Sequence, residues 1–297
     1  MRFSAIPGPS DQFTDVAGLK VGQAHDARAK TGVTVIIPDA PMAMAVDVRG
    51  GAPGTRDTEA LDPSCLVEKV HGLVLAGGSV FGLAAADAVT LALSARGVGL
   101  PLGPKAVPVV PSAILFDLMN GGDKEWGDEP PYHRLAYAAL DGLSASTEHG
   151  AVGAGHGAMA GAAAGGLGSA SLTLEDGTTV SAIVAVNSFG AVPEGGISAP
   201  GDVEFPKLGL VGSNTTIGAA ATNVALDKAA LKRLAIMAHD GLARAIKPIH
   251  TPYDGDTIFA ISNGERPTGG ELAGTLALLG ALAADCMELA VKKAVAR

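Results

Sequence analysis

Val211-Gly212-Ser213-Asn214-Thr215-Thr216-Ile217-Gly218-Ala219-Ala220-Ala221-Thr222-Asn223-Val224 runs from a small, polar turn straight into a β-branched and then alanine-rich apolar segment. Asn-Thr-Thr ahead of a strand is ordinarily a hydrogen-bonding turn. The same residues also permit chemistry. If the Thr215 hydroxyl attacks the Asn214 carbonyl, an N-to-O acyl shift gives an ester, water cleaves it, and Thr215 becomes a new N-terminus. A free α-amine titrates at about 7.7–8.0, so near neutral pH part of it is unprotonated and able to take the hydroxyl proton, which is the N-terminal-threonine form of activated nucleophile. On these residues alone the turn and the nucleophile stand as alternatives.

The chain around this stretch has 297 residues, enough for one large domain or two small ones. It is 47% hydrophobic, yet only 4% aromatic and with 41 glycines. Such a composition packs through small residues, which lets helices and strands approach closely. The net charge of -9 argues against nucleic acid or an anionic membrane as the main partner and suits a small uncharged or cationic substrate. Cys65 and Cys286 lie far apart without C-x-x-C spacing, so the expectation is two buried free thiols and a cytoplasmic protein. The charge-free stretch 150–174 has the length of a membrane span but is rich in glycine and poor in large apolar residues. It reads as a close-packed wall rather than a spanning helix.

Short apolar runs bounded by breakers, Val33–Ile37, Met42–Val48 and Leu73–Ala76, read as strands. A glycine loop at Gly77-Gly78 leads to an alanine-rich helix from about Gly82 to Ala95, and a second helix spans Tyr132 to about Leu140. Asp176-Gly177 joins strands Ser169–Leu174 and Thr178–Val186 in a hairpin. Gly195 to Lys207 reads as a loop. Asp227 is placed to N-cap a helix running to about Ile246, with Leu231, Leu234, Ala235, Ala238 and Leu242 on one face. Thr257–Ser262 is a further strand, and Glu271–Val295 a long helix that buries Cys286. Elements that alternate irregularly around a hairpin point to a layered α/β (α+β) domain.

Several familiar chemistries fail on spacing. Ser79 stands where G-x-G-x-x-G needs its middle glycine, and no Lys-Ser/Thr follows Gly82 as a P-loop requires. None of the seven histidines forms H-E-x-x-H, no Cys/His spacing suits zinc, and G-x-S-x-G is absent. No metal or other cofactor is expected.

The run Gly212–Val224, the run Ile246–Ala260 with its Asp254-Gly255-Asp256, the segment Ala45–Ala52 and the glycine loop Leu75–Leu83 occur here in one order. In these motifs the chain resembles, over nearly its whole length, the self-processing family that includes the DmpA-type L-aminopeptidase/D-esterase and the nylon-oligomer hydrolase NylC. The resemblance implies a single catalytic domain over 1–297, folded as a four-layer αββα sandwich of the DmpA/ornithine-acetyltransferase type, resembling Ntn hydrolases. It implies cleavage between Asn214 and Thr215 into 1–214 and 215–297, with Thr215 as nucleophile, Asn187 binding the oxyanion, and Asp254 and Asp256 orienting the nucleophile and balancing charge. Two carboxylates so close repel, so one is expected to titrate high.

The implied activity is that of an aminopeptidase on small peptides, amides and esters, with an endo-acting 6-aminohexanoate-oligomer hydrolase as the alternative and an unprocessed ligand-binding homologue as a third reading. A homo-oligomer, a tetramer of processed protomers, is implied as well. The chain departs from the family at one place. Where NylC-like members carry a lysine in the glycine-rich segment, it has Ala162, leaving the α-amine alone, His156 or another lysine to serve instead.

Overall fold

The computed structural model describes residues 3–194, 200–203, 205 and 213–296. Val211-Gly212 and most of the loop expected over 195–207 lie outside the described residues. In chain order, the first strands are β1 (Ala5–Pro7), β2 (Leu19–Asp26), β3 (Thr31–Pro38), β4 (Ala43–Val48), β5 (Thr55–Arg56) and β6 (Leu73–Ala76). Helix α1 (Ala84–Ala95), strand β7 (Ser112–Ile114) and helix α2 (Tyr132–Asp141) follow. Next come β8 (Met159–Ala160), β9 (Ala163–Ala164), β10 (Gly166–Leu174), β11 (Thr179–Asn187) and β12 (Thr215–Val224), then α3 (Lys228–Ala245), β13 (Thr257–Arg266) and α4 (Leu272–Val295).

Two sheets carry the fold: one ordered β1-β10-β11-β12-β13-β4, the other β2-β3-β6-β7-β5. Strict alternation along the strands sorts their side chains into three cores. From the first sheet, Val180, Ala182, Val184 and Val186 of β11 and Ile258 and Ala260 of β13 pack under α3 and α4. Their neighbours Ile183, Ala185, Phe259 and Ile261 join Ile217, Ala219 and Ala221 of β12 and meet Ile36, Leu73 and Leu75 between the sheets. On the far side Val33, Val35, Val74 and Ala76 pack under α1 and α2. The result is the four-layer αββα sandwich that the family resemblance implies.

The local signals are recognisable. Gly177 takes the left-handed conformation (φ 83°), its N–H bonds the Leu174 carbonyl, and the Leu174 N–H bonds Thr178, closing the expected hairpin. The Asp227 side chain accepts the Ala230 N–H at 2.8 Å, capping α3. Cys286 is buried as expected, whereas Cys65 is only half-buried; it sits in a turn after Asp62, not on the buried face of an element. The glycine-rich stretch is a wall only in part. Gly153–Gly155 is buried, but the β8–β9 hairpin lifts Ala162, Ala163 and Ala164 to the surface.

Small residues let the layers close. A Cβ on Gly241 of α3 would fall 2.2 Å from the Ala284 carbonyl oxygen of α4, whereas nothing lies within 4 Å of one on Gly274. Gly274→Ala is therefore expected to stabilise the protein by a few tenths to about 1 kcal/mol. Gly241→Ala should destabilise it by about 1–3 kcal/mol despite the better helix propensity of alanine. Urea unfolding of both variants checks the pair.

Candidate active site

Strand direction decides which residues meet. Antiparallel pairing sets Asn187, the last residue of β11, opposite Thr215, the first of β12. Parallel pairing of β12 with β13 then brings the turn that precedes β13 to the same end of the sheet, and Asn214 bridges to Asp254 there. The four residues singled out in the sequence, with Asn214, thus come together. All are enclosed: Thr215 is 2% exposed, Asn187 3%, and Asp254 and Asp256 0%.

The Thr215 hydroxyl donates to the carbonyl of Asn214, the peptide unit that precedes it. The same carbonyl accepts the Gly255 N–H at 3.0 Å. Gly255 is required there by space, because a Cβ would stand 2.8 Å from Thr215 Oγ1 and 2.6 Å from the Ala52 carbonyl oxygen. Asn187 is held at both ends: its Oδ1 accepts the Met159 N–H at 2.9 Å and its Nδ2 donates to the Phe116 carbonyl at 2.9 Å. An amide nitrogen carries two protons, so among the described residues a second N–H is left for a ligand.

The two aspartates have distinct partners. Asp254 Oδ1 accepts the Phe189 N–H at 3.0 Å, and Oδ2 accepts the Thr251 N–H at 3.0 Å and its hydroxyl at 2.5 Å. Burial, and then the charge of Asp256, push the Asp254 carboxyl above the ordinary range, so the close pair holds a proton more readily than isolated carboxylates. Asp256 Oδ1 accepts the Thr216 N–H at 2.7 Å, tying it to the residue after the nucleophile candidate.

The glycine loop stands behind Asn187, as expected of a segment near the site. Gly78 N–H bonds Asp117 Oδ1 at 2.8 Å, and Ser79 N–H bonds Leu115, so the loop fixes the segment whose Phe116 carbonyl holds Asn187. Burial raises the Asp117 carboxyl.

Sequence reasoning missed two histidines. His250 Nδ1 lies 2.8 Å from Asp256 Oδ2, and its ring meets that of His239 edge to face at 4.8 Å between centroids. His239 Nε2 donates to the Asp47 carbonyl at 3.1 Å. Burial, then the neighbouring His250, push the His239 imidazole down to about 4. Only the quoted run Ile246–Ala260 hinted at His250, and nothing in the sequence ties it to His239. His156, one substitute considered for the missing lysine, instead bonds the Ala151 carbonyl at 2.8 Å and stacks on His25 at 4.2 Å.

The family model described as Peptidase family S58 matches residues 11–297. The chain belongs to peptidase family S58. It is 41% identical to an uncharacterized aminopeptidase of Mycobacterium tuberculosis, over 95% of this chain and 92% of that one. It is 32% identical to the 6-aminohexanoate-oligomer endohydrolase of a Kocuria species, over 94% of this chain and 84% of that one. Its fold matches that of the L-aminopeptidase D-Ala-esterase/amidase from Ochrobactrum anthropi, a variant of the Ntn-hydrolase fold, with a TM-score of 0.73 at 22% identity, covering 99% of this chain and 88% of that one. This S58 member is accordingly a hydrolase of peptide or related amide bonds with an Ntn-hydrolase-like architecture.

His239 makes the stability of the S58 chain depend on pH. The unfolded imidazole takes up a proton below about 6.5, while the folded one resists until about 4. The folded state is thus progressively disfavoured as the pH falls through that window. His239→Gln keeps a donor toward Asp47 but does not titrate. The stability advantage of wild type over this variant should fall by up to about 3 kcal/mol between pH 7 and pH 4. Urea unfolding across that range measures it, the other acidic groups being common to both proteins.

Proposed function

We propose that this S58 hydrolase matures by breaking its own Asn214–Thr215 bond and then works as an aminopeptidase on small peptides, amides and esters with Thr215 as the N-terminal nucleophile. The observation that carries this reading is the double engagement of one carbonyl: Asn214 O accepts the Thr215 hydroxyl and the Gly255 N–H. Attack of Oγ1 on the Asn214 carbonyl carbon closes a five-membered ring and moves charge onto an oxygen that already faces a fixed N–H donor. The C–N bond then breaks, a proton passes to the Thr215 nitrogen, and an ester joins Asn214 to the threonine oxygen. Water hydrolyses the ester, leaving a carboxylate on Asn214 and a free amine on Thr215.

In the mature enzyme that amine takes the hydroxyl proton as Thr215 attacks the substrate carbonyl. The spare N–H of Asn187, directly across the strand pair, holds the oxyanion, a contribution of about 3 kcal/mol to the barrier. The Asp254 carboxyl, raised by burial and then by the charge of Asp256, takes up a proton more readily than an isolated carboxylate. Ala162 lies exposed at the tip of the β8–β9 hairpin, so this reading assigns the base role to the α-amine itself. A homo-oligomer of processed protomers, tetrameric as the family resemblance implies, and a cytoplasmic location belong to the same reading.

The similarity to a 6-aminohexanoate-oligomer endohydrolase favours a second reading, an endo-acting amidase on linear oligoamides. A dipeptide amide with a free N-terminus and an N-blocked oligoamide separate the two, because an aminopeptidase turns over only the former.

On a denaturing gel, purified wild type is expected to give fragments 1–214 and 215–297, while Thr215→Ala stays whole near 29 kDa and inactive. Gly255→Ala, which must push the Thr215 side chain aside, should slow fragment formation by about tenfold or more. Brisk peptide turnover by Thr215→Ala would overturn the assignment, and a wild-type chain that stays whole and inactive would favour the unprocessed ligand-binding homologue.

A further inference from the structure

His250 adopts a left-handed backbone (φ 55°), a conformation that a non-glycine residue keeps only where its surroundings determine it. Here the reason is visible. The turn carries both donors of His250 onto one oxygen: Asp256 Oδ2 accepts the backbone N–H at 3.1 Å and the imidazole Nδ1 at 2.8 Å. The other oxygen of that carboxylate accepts the Thr216 N–H, and Thr216 is bonded directly to Thr215. Asp256 is thus a clip with one jaw on β12 and the other on His250.

The clip is braced from behind. The His250 ring rests edge to face on His239, which α3 carries and the Asp47 carbonyl of β4 anchors. With Nδ1 committed to the carboxylate, the other ring nitrogen of His250, Nε2, is buried with no partner among the described residues. The His239 imidazole is held down to about 4 by burial and then by His250, so His239 itself adds no charge near neutral pH. Asp47 in turn is paired with Arg49 at 2.5 Å, whose side chain reaches solvent.

We propose that His250 is a positioning residue: by fixing one oxygen of Asp256 with two donors it holds the Thr216 amide on the other oxygen, and through it the Thr215 hydroxyl, against the carbonyl it attacks. It sets the rate of maturation and of turnover without touching substrate. This inference rests on Thr215 being the nucleophile. An error of order 1 Å in the placement of a reacting group costs about a hundredfold in rate, so a support of this kind is felt in kcat.

The test compares three substitutions chosen for the backbone. Glycine, aspartate and asparagine all tolerate the left-handed conformation, but only asparagine offers an N–H where Nδ1 stands. Fragment formation is followed after expression, and steady-state kinetics are measured on a small peptide amide once maturation is complete. His250→Gly and His250→Asp should slow fragment formation and lower kcat by roughly ten- to a hundredfold, with KM changed less than about twofold. His250→Asn should recover both rates to within about threefold of wild type. Whichever of the glycine and aspartate variants unfolds in urea as cooperatively as wild type supplies the comparison. If that variant cleaves and turns over as fast as wild type, or if asparagine fails to recover the rate, the positioning role is wrong while the Thr215 assignment stands. A wild-type chain that stays whole yet hydrolyses peptide would remove the Thr215 reading, and this inference with it.

Discussion

The site depends on β12 being paired antiparallel with β11 on one side and parallel with β13 on the other. Antiparallel pairing delivers the end of β11 beside the start of β12, and parallel pairing delivers the approach to β13. Asn187, Thr215 and the Asp254-Gly255-Asp256 turn therefore share one end of a sheet whose two faces are both covered. A slip of one residue along β12 would exchange its inward and outward faces, sending Ile217, Ala219 and Ala221 toward the helices and turning Thr215 away from Asn187. Packing between four layers is what forbids the slip. The chemistry proposed at Thr215 is thus held by the hydrophobic alternation of a strand that extends nine residues beyond it.

Small residues make that arrangement possible at the reacting atoms as well as in the core. Gly255 brings an N–H to the Asn214 carbonyl while leaving room for the Thr215 hydroxyl, and a Cβ on Gly50 would fall 2.3 Å from the Asp256 nitrogen. The turn before β13 can therefore lie directly against the β4 edge, where Arg49 and Gly50 N–H groups bond the Asp256 carbonyl. Scarcity of aromatic residues and abundance of glycine, noticed first as bulk composition, reappear as close backbone contacts.

Much of the fold was legible because its elements are long and strongly patterned. The capped α3, the Asp-Gly hairpin and the long helix α4 that buries Cys286 each carry a local signal that the tertiary structure agrees with. The strands of two or three residues, β1, β5, β7, β8 and β9, carry no period to read. β13 runs past Ser262 to Arg266 because Arg266 pairs with Val224 beyond an irregularity in the ladder, a contact that no local pattern announces. Cys65 was expected to be buried on residue type alone, and its turn leaves it half-buried. At the site, Thr215, Asn187, Asp254 and Asp256 came from the family resemblance, not from spacing. His250 and His239 were missed because their meeting depends on a left-handed turn and a helix packed across the sheet, both products of tertiary structure.

Membership of peptidase family S58 establishes a hydrolase of peptide or related amide bonds, and the proposed route to its active form has a distinctive chemical intermediate: an ester between Asn214 and the Thr215 oxygen. Hydroxylamine intercepts such an ester. Mass spectrometry of chain allowed to mature in its presence is expected to find a large fragment ending in a hydroxamate on Asn214 and a small one beginning with unmodified Thr215. A chain that remains whole, or one that divides at any other bond, would contradict the account.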